Sequence, residues 1–217
     1  MNRLLKPQMI YWWSLVFLAS IFLAALLQRM LITEELIIST LQSVGIPEEN
    51  LSAAAEKTAN KKDINMIMHF VFTSIGTGFY AFLVISIVRV VEEDKTPVRM
   101  LLNAFVPGYL IMIFGHLLKF FLLSAEGNYS INMAEKYFPL SLVDIVPVDP
   151  SFRMYFVLSY FNVFDVLAAL LWAFLVDTYL SLKNGPKTIL VAYLVITILY
   201  GLSLFLVAES EKGFTWG

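Results

Sequence analysis

Cysteine is absent from the 217-residue chain, and charged side chains are scarce. Without thiols there is no disulfide, no thiolate nucleophile, no iron–sulfur cluster and no thiolate zinc site. Charged residues make up 15% of the chain and hydrophobic ones 59%. An average soluble domain has roughly 25% and 45–50%, so this is not the composition of a water-soluble globule. Fifteen Lys and Arg face seventeen Asp and Glu. No surplus of positive charge is present to neutralise phosphates, and nucleic acid is not an expected partner.

Local catalytic signatures are missing too. The chain has no His-Glu-x-x-His, no Gly-x-Ser-x-Gly, no Gly-x-x-x-x-Gly-Lys loop and no Gly-x-Gly-x-x-Gly, so none of the activities those motifs carry is expected. Asp165 and Asp177 stand twelve residues apart, about 18 Å along a helix, too far for a carboxylate dyad. The expectation is a non-enzymatic protein with no cofactor. Its only two histidines, His69 and His116, lie on neighbouring apolar segments where a haem bridge is geometrically open. A buried histidine is a packing partner far more often than a ligand, so no metal ligand is assigned.

What the chain does have is long apolar runs. Crossing a bilayer takes about 20 helical residues, and the runs predict spans at residues 8–28, 64–89, 100–124, 153–181 and 188–208. The fold class is therefore an all-α integral membrane protein, one domain built as a five-helix transmembrane bundle. The fourth span is the least regular, since Asp165 falls between Arg153 and Asp177. Arg3 and Lys6 precede the first span as in a signal peptide, but the apolar run is too long and bulky for one, and it reads as an uncleaved helix. Lys and Arg are densest in the N-terminal stretch, in 89–99 and in 182–187, which sets the N-terminus inside and the C-terminus outside.

The outer loop 29–63 reads as helical. Thr33 with Glu34 and Glu35 begins one helix, Ile37, Leu41 and Val44 recur at helical spacing, and Gly45 stops it. Pro47-Glu48-Glu49 begins a second short helix that ends in Lys57, Lys61 and Lys62, completing a hairpin at the outer surface. The outer loop 125–152 is expected to be mostly irregular because Pro139, Pro147 and Pro150 interrupt it. Asn128-Tyr129-Ser130 is a glycosylation sequon there. Ser74 and Gly78, with Ala169 and Ala173, form small-residue faces that predict packing of the second span on the fourth.

The order of these features resembles the bacterial branch of the Yip-domain family of five-span membrane proteins. The likeness begins with Leu5-Lys6-Pro7 and runs through Thr33-Glu34-Glu35, Pro47-Glu48-Glu49, Gly76 and Gly78. It continues with Ala104-Phe105-Val106-Pro107-Gly108, Phe161-Asn162-Val163-Phe164-Asp165 and Leu171-Trp172-Ala173. The resemblance implies a bacterial cytoplasmic membrane, no enzymatic activity, and a role as adaptor or accessory subunit of another integral membrane protein, an exporter subunit among the candidates. The Asp-Leu-Tyr-Gly-Pro signature of the GTPase-binding eukaryotic members is absent.

Five intramembrane polar residues need a physical account: His69, His116, Lys119, Asn162 and Asp165. A charge in the bilayer is costly unless paired or hydrated, so all five should face the bundle interior. His116 and Lys119 share a helix face, as do Asn162 and Asp165. The expected meeting is Asp165 with Lys119 or His116. As interhelical glue the cluster fits an adaptor; as a lining it fits a small transporter or channel for an ion, a proton or a polar solute. A homo-oligomeric membrane-shaping protein is the third class. The cytoplasmic turn Glu92, Glu93, Asp94 and Lys95 is the candidate partner loop.

Overall fold

The computed structural model describes residues 9–43, 45–93, 96–127, 129–146 and 153–210. Leu5-Lys6-Pro7, Val44, Asp94, Lys95, Asn128, Pro147 and Pro150 lie outside the described residues. The chain is helical: α1 Ile10–Leu31, α2 Glu34–Ser43, α3 Glu48–Glu92, α4 Val98–Glu126, α5 Ile131–Lys136, α6 Arg153–Tyr160, α7 Val163–Leu180 and α8 Gly185–Ser210. Five of these, α1, α3, α4, α7 and α8, are long and apolar enough to cross a membrane. Their outward surfaces carry large apolar side chains, with Phe72 64%, Phe114 66% and Phe174 60% exposed. Water would not tolerate such a continuous surface, whereas lipid solvates it. The protein is an integral membrane protein.

Two span boundaries differ from the sequence reading. The second outer helix and the second span are one helix, since α3 runs unbroken for 45 residues, about 68 Å. Its amphipathic first third, Glu48 to Lys62, differs from the apolar remainder in polarity alone. Charge does not end a helix, and no Gly or Pro stands between Glu48 and Ile75. The fourth expected span is the opposite case. It breaks at Phe161 and Asn162 into α6 and α7, because the Asn162 side chain caps a new helix. Only α7 is left as the crossing helix.

The spans form a closed ring, packed in the order α1, α4, α7, α8, α3 and back to α1. Successive spans reverse direction, so an odd ring needs one parallel pair, and that pair is α1 with α4. Packing of the second span on the fourth is not what the ring provides. Positions 76 and 78 would meet nothing within 4 Å if they carried a Cβ, and α3 and α7 are not ring neighbours. The close approach is made instead by Gly108 of α4 against α7, where a Cβ would stand 2.6 Å from the Ala168 carbonyl oxygen.

At the turn end of the ring, near Glu92, Val98 and Leu180, an apolar layer fills the interior. Val84 and Val88 of α3, Leu101 of α4, Val176 of α7 and Ile189 of α8 are each at most 1% exposed. At the other, loop end, α2 packs on α3, and Leu31, Leu123 and Ala134 gather into a smaller cluster. The segment from Tyr137 to Val146 packs on the ring at this end through Phe138, Ser141 and Val143. Phe138 reaches Gly115 of α4, where a Cβ would lie 2.6 Å from its ring, and Ser141 forms an isolated antiparallel bridge with Asn162. Here the Val163 N–H bonds the Leu140 carbonyl at 3.0 Å, and the Leu142 N–H bonds the Phe161 carbonyl at 3.1 Å.

Candidate functional site

The five polar residues form two groups, and the expected meeting of Asp165 with Lys119 or His116 does not occur. Asp165 lies in the first turn of α7. The Asn162 Oδ1 accepts the Asp165 N–H at 2.9 Å, and the Asn162 Nδ2 donates to the Asp165 Oδ2 at 2.7 Å and to the Tyr160 carbonyl at 3.1 Å. Asn162 thus caps the helix and holds the carboxylate at once. The helix dipole also favours an anion at this end. Since Ala168 is level with Gly108, Lys119 lies about 12 Å further along α4 than Asp165 does along α7.

Phenols surround this carboxylate. Tyr80 of α3, Tyr109 of α4, Tyr160 of α6 and Tyr193 of α8 all lie within electrostatic reach of Asp165. Tyr80 stands across the ring from α7, so Asp165 points to the centre. Tyr80 and Tyr193 meet edge to face at 6.2 Å. Thr197 lies beside both phenols and Thr77 beside Tyr109, yet the Tyr80 Oη and the Trp172 Nε1 are buried with no hydrogen-bond partner in geometry. Such groups are rare in native interiors. Sequence reasoning passed over these residues, although Thr77 with Tyr80 and Tyr193 with Thr197 repeat at three and four residues, the spacing of one helix face.

The second group lies nearer the loop end. Lys119 is 4% exposed, and its Nζ reaches the Glu135 backbone carbonyl at 3.5 Å. His69 and His116 are its electrostatic neighbours. His116 meets the Phe138 ring edge to face at 5.0 Å, whereas His69 is exposed on α3. Among the described residues no cluster of three or more His, Cys, Asp or Glu side chains is arranged to hold a metal ion.

At the turn end, Glu92 of the candidate partner loop is engaged within the chain: its Oε1 accepts the Asn184 N–H at 2.5 Å, tying the end of α3 to the turn before α8. Glu93 takes the left-handed C-cap of α3, with φ of 48°.

Just outside the crossing segments, the buried Tyr155 phenol is pushed up to about 12, by desolvation first and then by the Asp144 and Glu126 carboxylates.

No protein-family model, curated protein or solved structure matches this chain.

Proposed function

We propose that this chain is a non-enzymatic carrier or channel for a proton, a small cation or a polar solute, with Asp165 as its ionisable centre. One observation carries the reading: the helix that Asn162 caps starts with a carboxylate that lies within electrostatic reach of phenols contributed by four other helices. A carboxylate serving only as glue needs one partner, and Asn162 already supplies it. The nearby hydroxyls can donate to a solute or pass a proton, and the buried Tyr80 Oη, beside Thr197, offers one such group. A helix start of this kind supplies free polar backbone groups beside the carboxylate, as helix ends do at transport sites. With the turn end in the cytoplasm, as the Lys and Arg density expects, the apolar layer closes the inner side and the segment around Phe138 the outer one.

The test is flux in proteoliposomes. Asp165→Asn keeps the shape and a hydrogen bond to Asn162 but removes the titrating charge. Transport of protons or monovalent cations by the native chain, lost in Asp165→Asn at equal protein incorporation, is the expected result. Equal flux in both would sink the proposal. The accessory-subunit role implied by the family resemblance is its rival, and it expects no flux together with a stoichiometric partner in gentle-detergent purification.

A further inference from the structure

At the loop end, the last turns of α1 and α4, the start of α2 and Tyr129 enclose a cavity of about 470 Å³ that opens to the surface. That is within the size range of small-molecule sites. Met30 comes from the last turn of α1, Ser124 from the last turn of α4, and Glu35 and Ser39 from α2. None of the polar residues around Asp165 lines it.

Hydrogen bonding fixes what this lining can offer. The Ser39 Oγ donates its proton to the Leu36 carbonyl at 3.0 Å, and the Tyr129 hydroxyl donates to the Leu31 carbonyl at 2.7 Å. Both oxygens therefore keep only lone pairs for a ligand. The Thr33 Oγ1 is engaged by the Leu36 N–H, so the start of α2 is answered by its own cap. Glu35 is an acceptor only, and among the described residues its carboxylate has no hydrogen-bond or ion-pair partner. No Lys, Arg or His lines the cavity. The lining is thus weighted toward acceptors and carries one negative charge that no neighbouring cation neutralises.

Such a lining asks for a cationic donor. A divalent metal ion takes six or more oxygens, and one carboxylate with a few hydroxyls falls short of that in a cavity much larger than an ion. Met30, Leu36 and Phe120 make the remainder apolar, which suits an organic body. We propose that this cavity binds a primary ammonium group, that of an ethanolamine phospholipid headgroup or of a free aliphatic amine. Its N–H groups bond Glu35, Ser39 and Tyr129, and its carbon atoms lie against the apolar side chains. The place agrees with the chemistry, since the apolar helices α1 and α4 end here, where hydrocarbon gives way to headgroups and solution. The site is independent of any flux through Asp165.

The test uses the full chain in mild detergent, delipidated, with thermal unfolding followed on adding phosphatidylethanolamine, phosphatidylcholine or n-butylamine. The two lipids share charge and phosphate and differ in the ammonium, which in phosphatidylcholine has no N–H to donate. Phosphatidylethanolamine should raise the midpoint more than phosphatidylcholine does. Glu35→Gln keeps the side chain's size and removes its charge, and should weaken the apparent affinity roughly tenfold or more, the ordinary loss for one charge-assisted hydrogen bond. A midpoint rise with butylamine alone, lost in the same variant, supports the site and assigns it to the free amine. No preference for phosphatidylethanolamine and no response to butylamine, or a response unchanged in Glu35→Gln, overturns the proposal. Should Glu35→Gln fail to fold, Ser124→Phe, which fills the cavity from an exposed position, takes its place: loss of the response supports the site, and an unchanged response overturns it.

Discussion

Gly108 of α4 and Ala168 of α7 meet so closely that a Cβ on the glycine would stand 2.6 Å from the alanine carbonyl oxygen. That oxygen is backbone, and the helices must part to admit even a methyl group. Gly108→Ala should therefore destabilise the bundle by about 1–3 kcal/mol, the range for overpacked interiors. Gly78→Ala is the control. A Cβ there meets nothing within 4 Å, so removing a helical glycine should leave stability unchanged or raise it by up to about 1 kcal/mol. Denaturant titration of both variants in one detergent separates them, and equal behaviour would refute the seam.

The same reasoning applies one level nearer the loop end. A Cβ at Gly115 would lie 2.6 Å from the Phe138 ring and 3.0 Å from Phe164. Gly115→Ala should displace the segment around Phe138 and lower stability, and Phe138→Ala should relieve that clash at the expense of its own packing. A double-mutant cycle of the pair should give a coupling of about 0.5 kcal/mol or more, as for side chains in contact. Strict additivity would mean that Phe138 does not seat against α4.

Tyr80 distinguishes a working polar layer from a structural one. Its Oη is buried beside Thr197 without a well-formed hydrogen bond, so Tyr80→Phe gives up little and should leave stability within about 1 kcal/mol. If phenols serve flux through Asp165, the same change should lower transport several-fold. Stability and transport falling together would instead mean that the hydroxyl is an ordinary part of the packing.

Tyr155 gives a pH dependence of definite sign. Its phenol is pushed up to about 12 in the folded chain, against about 10 unfolded. The neutral form is the one the fold favours. Its contribution is complete below pH 10 and is lost as pH rises from there toward 12. The native chain should lose stability across that window more steeply than Tyr155→Phe, measured as denaturation midpoints at fixed detergent. Parallel curves would show that Tyr155 is not held neutral.

Much of the architecture is written in composition and periodicity. Apolar runs of about 20 residues must cross lipid as helices, because lipid leaves backbone groups no other partner, and five such helices are present. Local chemistry is legible as well: Thr33 Oγ1 accepts the Leu36 N–H at 3.2 Å at the start of α2, and Gly45 after its end has φ of 82°. Polarity misled where it was used as punctuation. The stretch before Ile64 is charged and still belongs to α3, since a helix yields to caps and breakers rather than to charge. Asn162 is such a cap, yet in sequence it looks like one more polar residue within an apolar run.

The sequence by itself determined that this is an all-helical membrane protein, how many helices cross, and which polar side chains need partners. Only the tertiary structure decided who those partners are. Ring order put α3 opposite α7 and brought Tyr80 toward Asp165. The register of α4 against α7 separated Asp165 from Lys119 by depth, and the Lys62 face of α3 came against the end of α1. Periodicity fixes which face of a helix is polar, but not which helix that face will meet, because in lipid the pairing is decided by shape at contacts such as Gly108 on Ala168.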